Sequence, residues 1–322
     1  MREGNPSIPV RTRVTFELYP LRFRFIAEDS IYFPQGKPGN ILRGAFGTIF
    51  KKIACVPHCR EARTCEIRTQ CAYARIFEPA ALGAGPSGLA DSPRPFVFRA
   101  SHLDGCTIPK SSEFYFDLNL FELRDPALAY FVLAFSELAR DGLGPRRGRA
   151  RLTSVWLREP EVQVYDGSTF LPAGAPPPLE IRLNPQSQDI RSARVEFVTP
   201  TELKSAGDAA AQPEFPILFA RIRDRISTLR ALYGAGPLEI DFREMGRRAE
   251  SIRMSHCDLR HVEVSRLSTR TQQTHSLGGF VGSAVYEGEL TEFVPYLETA
   301  RWTGVGRQTV WGKGEIRLFL NA

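Results

Sequence analysis

From Gly304 to Gly314 the chain reads Gly-Val-Gly-Arg-Gln-Thr-Val-Trp-Gly-Lys-Gly. Gly304, Gly306, Gly312 and Gly314 let the backbone approach a ligand closely and take positive φ. Clustered backbone N–H groups in such a loop form a concavity for anions. Arg307, Gln308, Thr309 and Lys313 are mixed with these glycines, and Trp311 sits among them. Two cations and an aromatic ring in one loop suit a sugar-phosphate chain better than a compact nucleotide. The loop leads into an apolar strand, Ile316 to Leu320, and not into a helix, which excludes a Walker A loop and a dinucleotide fingerprint.

A second group able to do chemistry is sulfur. Cys55, Cys59, Cys65 and Cys71 are spaced C-x3-C-x5-C-x5-C. Four thiolates can enclose zinc tetrahedrally, although this spacing departs from the usual C-x2-C pair. A structural zinc knuckle and a set of free thiols are both open readings, with an iron–sulfur cluster a minor third. Disulfides are not expected in a chain read as cytoplasmic. Cys106 and Cys257 read as small apolar residues.

With 322 residues, the length favours about two domains. The net charge is +6 and the pI is near 9.1, so the distribution of charge decides what it means. Arg221, Arg223, Arg225, Arg230, Arg243, Arg247, Arg248, Arg253 and Arg260 crowd one region, and Arg146, Arg147, Arg149 and Arg151 form a second knot. A solvated basic face is the ordinary outcome for arginine-rich helices. Two basic knots beside glycine loops favour a nucleic acid. No apolar run is long enough to span a membrane. The first residues lack the apolar core of a signal peptide, so a cytoplasmic location is expected.

The elements that must position these groups can be read from periodicity. Residues 12–27 alternate as a strand, with a parity change that predicts a bulge or bend at Pro20. A helix is expected from about Asn40 as N-cap, burying Leu42, Phe46, Ile49, Phe50 and Ile53. Strands are expected at 96–100, at 114–120 and from about Leu152. Between the last two, Asp125-Pro126 opens a helix that buries Leu128, Phe131, Val132, Phe135 and Leu138 and ends at Gly142. The second half repeats the plan. A short strand at 195–198 precedes a long amphipathic helix built on Phe215, Leu218, Ile222, Ile226 and Leu229. Paired strands near 260–268 and 279–287, a helix at 290–301 and the last strand follow. Residues 159–190 read as an irregular connection, with 179–183 a candidate extra strand.

Each half is therefore β-α-β-β-α-β, the ferredoxin-like order. The fold class expected is α+β, with two tandem ferredoxin-like (RRM-like) domains. The first, 1–190, carries the Cys-rich insertion; the second, 191–322, carries the C-terminal glycine-rich loop. The halves share a pattern as well: Ala139-Arg140 before Gly142 and Gly144 mirrors Ala300-Arg301 before Gly304 and Gly306. Duplication accounts for this better than two unrelated helix C-caps.

Four stretches in this order resemble the RAMP superfamily of CRISPR-associated proteins. They are Leu42-Arg43-Gly44-Ala45-Phe46-Gly47, the cysteine-rich stretch ending at Cys71 to Pro79, Gly278-Gly279-Phe280-Val281-Gly282, and Gly304 to Gly314. Within that superfamily the chain looks most like the endoribonucleases that cut precursor CRISPR RNA inside each repeat.

The resemblance implies cleavage without a metal, hence no cofactor for catalysis; zinc on the cysteines, on that reading of them, would be structural. The 2′-OH beside the scissile phosphate attacks it and leaves a 2′,3′-cyclic phosphate and a 5′-OH. The protein supplies proton transfer and cations for the developing charge. Family members often carry a histidine on or near the first helix, with a tyrosine upstream and a lysine downstream. By that likeness the candidate catalytic residues are Tyr32, Lys51, Lys52 and His58, though the helix from Asn40 to Ile53 itself holds no histidine. The candidate RNA-binding residues are Arg43, Arg266, Arg270, Gly304, Gly306, Arg307, Gln308, Trp311 and Lys313. His256, His261 and His275 read as structural or surface residues that could line an RNA groove. The partners implied are precursor CRISPR repeat RNA, its mature crRNA product and effector-complex subunits. The rival reading is a RAMP-like subunit that holds crRNA without cutting it.

Overall fold

The computed structural model describes residues 14–56, 59–83, 85, 92–123, 127–171, 176–185, 187–205, 207–267 and 274–321. The first half contains β1 (Thr15–Ala27), β2 (Ile31–Tyr32), α1 (Pro38–Ala54), α2 (Ala72–Ile76), β3 (Phe96–Arg99), β4 (Thr107–Ile108) and β5 (Glu113–Leu120). It continues with α3 (Leu128–Asp141), β6 (Ala150–Arg158), β7 (Glu161–Tyr165) and β8 (Leu179–Arg182). Its sheet runs β3-β5-β1-β6-β7, with β8 added to β1. The second half contains β9 (Ser192–Thr201), the hairpin β10 (Lys204–Ser205) and β11 (Asp208–Ala209), α4 (Phe215–Tyr233) and α5 (Phe242–Ala249). Then come β12 (Arg253–Val262), β13 (Ser265–Leu267), β14 (Thr274–Ser276), β15 (Gly279–Glu287), α6 (Val294–Thr303) and β16 (Ile316–Asn321). Its sheet runs β12-β15-β9-β16, and all pairings in both sheets are antiparallel.

The parity change at Pro20 has a physical cause. Phe16 and Leu18 are buried in the core of the second half, whereas Leu21, Phe23 and Phe25 are buried in that of the first. One strand crosses between two cores and turns its apolar face as it does so. Its pairing with β5 is continuous over Tyr19 to Ile26, and the register shift against β6 falls between Arg24 and Phe25. The bulge is therefore displaced from Pro20. The first core is unusually aromatic: Phe46 stacks on Phe131 at 4.5 Å and on Phe135 at 5.4 Å, which clamps α1 to α3.

Leu42, Phe46, Ile49 and Phe50 form the buried face of α1, and Ile53 packs at its edge. The helix starts earlier than Asn40, because Pro38 occupies the first turn where its missing N–H costs nothing. Gly142 ends α3 at φ 102°; Asp125 and Pro126 lie outside the described residues. β12 begins at Arg253, ahead of the expected 260, and β7 and α5 were not anticipated. None of the described helices is long and apolar enough to cross a membrane.

Candidate functional site

α6 delivers the glycine loop, and two arginines, Arg99 buried and Arg225 half-buried, hold its end. Arg99 Nη2 donates to the carbonyls of Arg301 and Trp302, each at 3.3 Å, and Asn119 Nδ2 donates to Trp302 O at 2.8 Å. Arg225 Nε donates to Thr303 O at 3.0 Å. These are the carbonyls that a helix leaves without intrahelical partners, and positive charge at a C-terminus complements the helix dipole. Burial, then the neighbouring charge of Arg99, pulls Arg225 down to about 9. Both halves thus meet at the end of α6.

The loop then folds back on the start of α1. Lys313 is 4% exposed, and its ammonium donates to Gly36 O at 3.2 Å. Burial lowers its pKa. A Cβ on Gly39 would lie 2.5 Å from Trp311 O, so only glycine lets the helix pass this close. Gly314, at φ 66°, closes the loop, with Val305 N donating to its carbonyl at 2.9 Å. The result is a cleft of about 280 Å³ between the halves. Gly36 and Gly39 form one wall, His102 and Asp104 a second, and Lys313 and Arg317 a third.

The other loop residues are engaged in different ways. Arg307 pairs with Glu202 at 2.8 Å and is 54% exposed at the side chain. Gln308, in the left-handed region at φ 63°, donates from Nε2 to Ser276 O at 2.7 Å and ties the loop to the β13–β14 ribbon. Gly304 and Gly306 take φ 72° and 77°. Arg43 lies between two rings, 4.6 Å from Phe77 and 5.2 Å from Trp311, so it braces the loop against α1. Arg266 lies in β13 opposite His275; Arg270 falls outside the described residues.

Among the described residues, the side chains expected to do chemistry are spread over the lead-in and the last turn of α1. Tyr32 is 37% exposed, pairs with Thr107 across β2–β4, and belongs to the lead-in to α1. Lys51 and Lys52 sit in the last turn of the same helix, about 20 Å along its axis from Pro38 at ~1.5 Å per residue. Lys51 Nζ is occupied with Arg60 O at 3.0 Å. His58 lies outside the described residues. His256 and His261 are exposed on β12.

The arginine crowd is largely consumed by the fold. Arg223 donates to Phe242 O at 2.6 Å, Arg225 holds α6, Arg247 and Arg248 pair with Glu244, and Arg253 pairs with Glu287. In the second knot Arg149 pairs with Asp29, while Arg146, Arg147 and Arg151 are exposed.

The cysteine contacts run in a chain: Cys55 with Cys71 and Cys59, and Cys59 with Cys65. Burial first, then these neighbours, pushes the Cys55 thiol up to about 12. The donor chemistry suits zinc. The arrangement as it stands does not form a ligand set, since no group of three or more such side chains among the described residues is placed to hold a metal ion.

His102 is the histidine that sequence reasoning passed over. It follows β3 in a short turn, and nothing local marks it. Its place in the cleft appears only when the two halves meet.

Two family models match the chain. A model of an N-terminal domain (AF_1859_N) covers residues 16–176, and one described as CRISPR-associated endoribonuclease Cas6 covers residues 195–316. No curated protein matches the sequence. Among solved structures, Thermus thermophilus Cas6 is 16% identical over 95% of this chain and 99% of its own, with TM-score 0.52. A product complex of that protein is 17% identical over 94% and 99%, with TM-score 0.54. A partial Cas6-RT-Cas1–Cas2 complex is 11% identical over 96% of this chain and 47% of its own, with TM-score 0.55. At these identities the likeness is one of fold.

Proposed function

Because residues 195–316 match the model described as CRISPR-associated endoribonuclease Cas6, we propose that the chain cuts precursor CRISPR RNA within the repeats by attack of the 2′-OH, without a metal, and leaves a 2′,3′-cyclic phosphate and a 5′-OH. The reading rests on one observation: the glycine loop folds onto the start of α1 and leaves a cleft lined by Lys313 and Arg317 between the halves. Cations fixed there would offset the charge that builds on the phosphate. A solved Cas6 product complex supports a bound product as the ligand of this cleft. The partial complex with Cas1 and Cas2 supports CRISPR proteins as partners.

Of the four candidate catalytic side chains, we keep Tyr32, in β2 ahead of α1, as a contact for RNA beside the cut. Lys51 and Lys52 fall in the last turn of α1, where we assign them to RNA flanking the cut; His58, outside the described residues, stays a candidate. We read the halves as tandem ferredoxin-like units, because in each the second, third, first and fourth strands lie side by side in that order. We place a division near residue 190 between the two cores, with Phe16, Leu18, Val97, Phe121, Leu183 and Ile190 packing into the second and Val310 into the first. For the four cysteines we keep a structural zinc, which would close the thiol chain into a ligand set.

The test is cleavage of labelled repeat RNA in EDTA, with a 2′-deoxy nucleotide at the cut site as control. A single cut that the substitution abolishes supports the reading. The absence of histidine from α1 favours a second reading, a subunit that holds crRNA uncut; tight binding without a cut would establish it.

A further inference from the structure

Resting on the proposed RNA cleavage, we propose that His102 is its catalytic proton acceptor, with the scissile phosphate held in the cleft between His102, Lys313 and Arg317. His102 is exposed on the cleft wall, yet its ring is fixed twice. It stacks on Tyr115 at 4.3 Å with 23° between planes, and its Nε2 lies 2.9 Å from Tyr115 O. A carbonyl oxygen only accepts, so Nε2 carries the proton and Nδ1 presents a lone pair. The platform is itself held. The Arg22 guanidinium lies 3.9 Å from the Tyr115 ring centre, and Asp117 grips it at 2.7 and 2.9 Å. A backbone carbonyl thus orients this base, as a third group orients the base in other sites that deprotonate a hydroxyl.

The step balances. The 2′-OH gives its proton to His102 Nδ1 as the 2′-oxygen bonds phosphorus. The P–O5′ bond breaks, and the departing 5′-oxygen takes a proton from water. The charge that gathers on the phosphate oxygens faces Lys313 and Arg317. Asp104 also lines the cleft, and its carboxylate accepts from Gly36 N at 2.5 Å. The charged and titratable groups that share the cleft lining with His102 or touch its ring are Asp104, Lys313, Tyr115 with Arg22 behind it, and Arg317, whose guanidinium pairs with Glu196 at 3.7 Å and must exchange that partner for the phosphate.

The experiment uses the full chain, single-turnover conditions and labelled repeat RNA, with affinity measured separately on 2′-deoxy RNA. His102→Ala should slow cleavage by about 10²–10⁴-fold with affinity changed less than threefold. It should also abolish the fall in rate with acid that protonation of the imidazole imposes, and added imidazole should restore part of the rate. A variant that cuts at the wild-type rate overturns the role of His102 and leaves RNA cleavage standing. So does a slow variant that keeps the acid limb and ignores imidazole, or one that loses affinity in parallel. A wild-type chain that binds repeat RNA and never cuts it overturns both.

Discussion

Arg307 and Lys313 share one loop and do different jobs. Arg307 is exposed and its pair with Glu202 lies at the surface, where such a pair contributes about 0.2–1 kcal/mol. It is free to exchange that partner for a phosphate. Arg307→Ala should therefore leave the fold intact and weaken RNA binding. It should also shallow the slope of log affinity against log salt by about 1; an unchanged slope removes it from the interface. Lys313 is buried on the Gly36 carbonyl. Lys313→Ala should cost about 1–3 kcal/mol in urea denaturation, because it strands that carbonyl. An unaltered midpoint would show the contact to be dispensable. The sequence made both residues visible as cations in a glycine loop. It could not separate them, since burial depends on α1, far away in the chain.

At the level of elements, the close passage of α1 beneath the loop is the sensitive joint. Gly39→Ala would drive a methyl against Trp311 O, and overpacking of this kind costs about 1–3 kcal/mol. Thermal unfolding should register the loss, together with reduced cleavage, and a silent substitution would place the loop elsewhere. α5 offers a test by pH. Asp241 caps it by accepting from Glu244 N at 2.9 Å, and Arg247 and Arg248 hold the Glu244 carboxylate down to about 2. A depressed carboxylate stabilises the fold above its unfolded value of 4.5 and loses that contribution as pH falls towards about 2. Glu244→Gln should flatten stability against pH across that window; an identical acid profile would show the pairs to be idle. The capping pair of Asp241 with Glu244 was present in the sequence, but the surrounding arginines hid the helix by drawing attention to charge. The faces of α1, α3 and α4 were legible because a period near four residues is a local property. β7 was not, since its partner β6 supplies the reason for it to be a strand.

Across the whole molecule, the two cores are not separable. The start of β1 and the side chains of Val97 and Phe121 are buried with the second half. A chain of residues 191–322 alone would lose these apolar groups together with Leu183 and Ile190, each worth about 1.5–3 kcal/mol, and should fail to fold. Trp156 in the first half and Trp302 and Trp311 in the second should report one coincident transition in denaturant. Two resolved transitions would show independent domains. The motif order pointed to two units of one plan, and the strand orders are consistent with it. The strand they share left its trace at Pro20, where the sequence showed a change of parity and not what the two faces would meet.

That shared strand also bears on how such a chain can be inherited. A cut at the obvious seam near residue 190 would sever β1 from the core that buries its first residues, so recombination there yields two broken pieces. Attachment at the ends disturbs neither core. A solved chain of which this one spans 47% is about twice the length of the matched part. The unit can be carried whole into larger assemblies, and its halves cannot be dealt out separately.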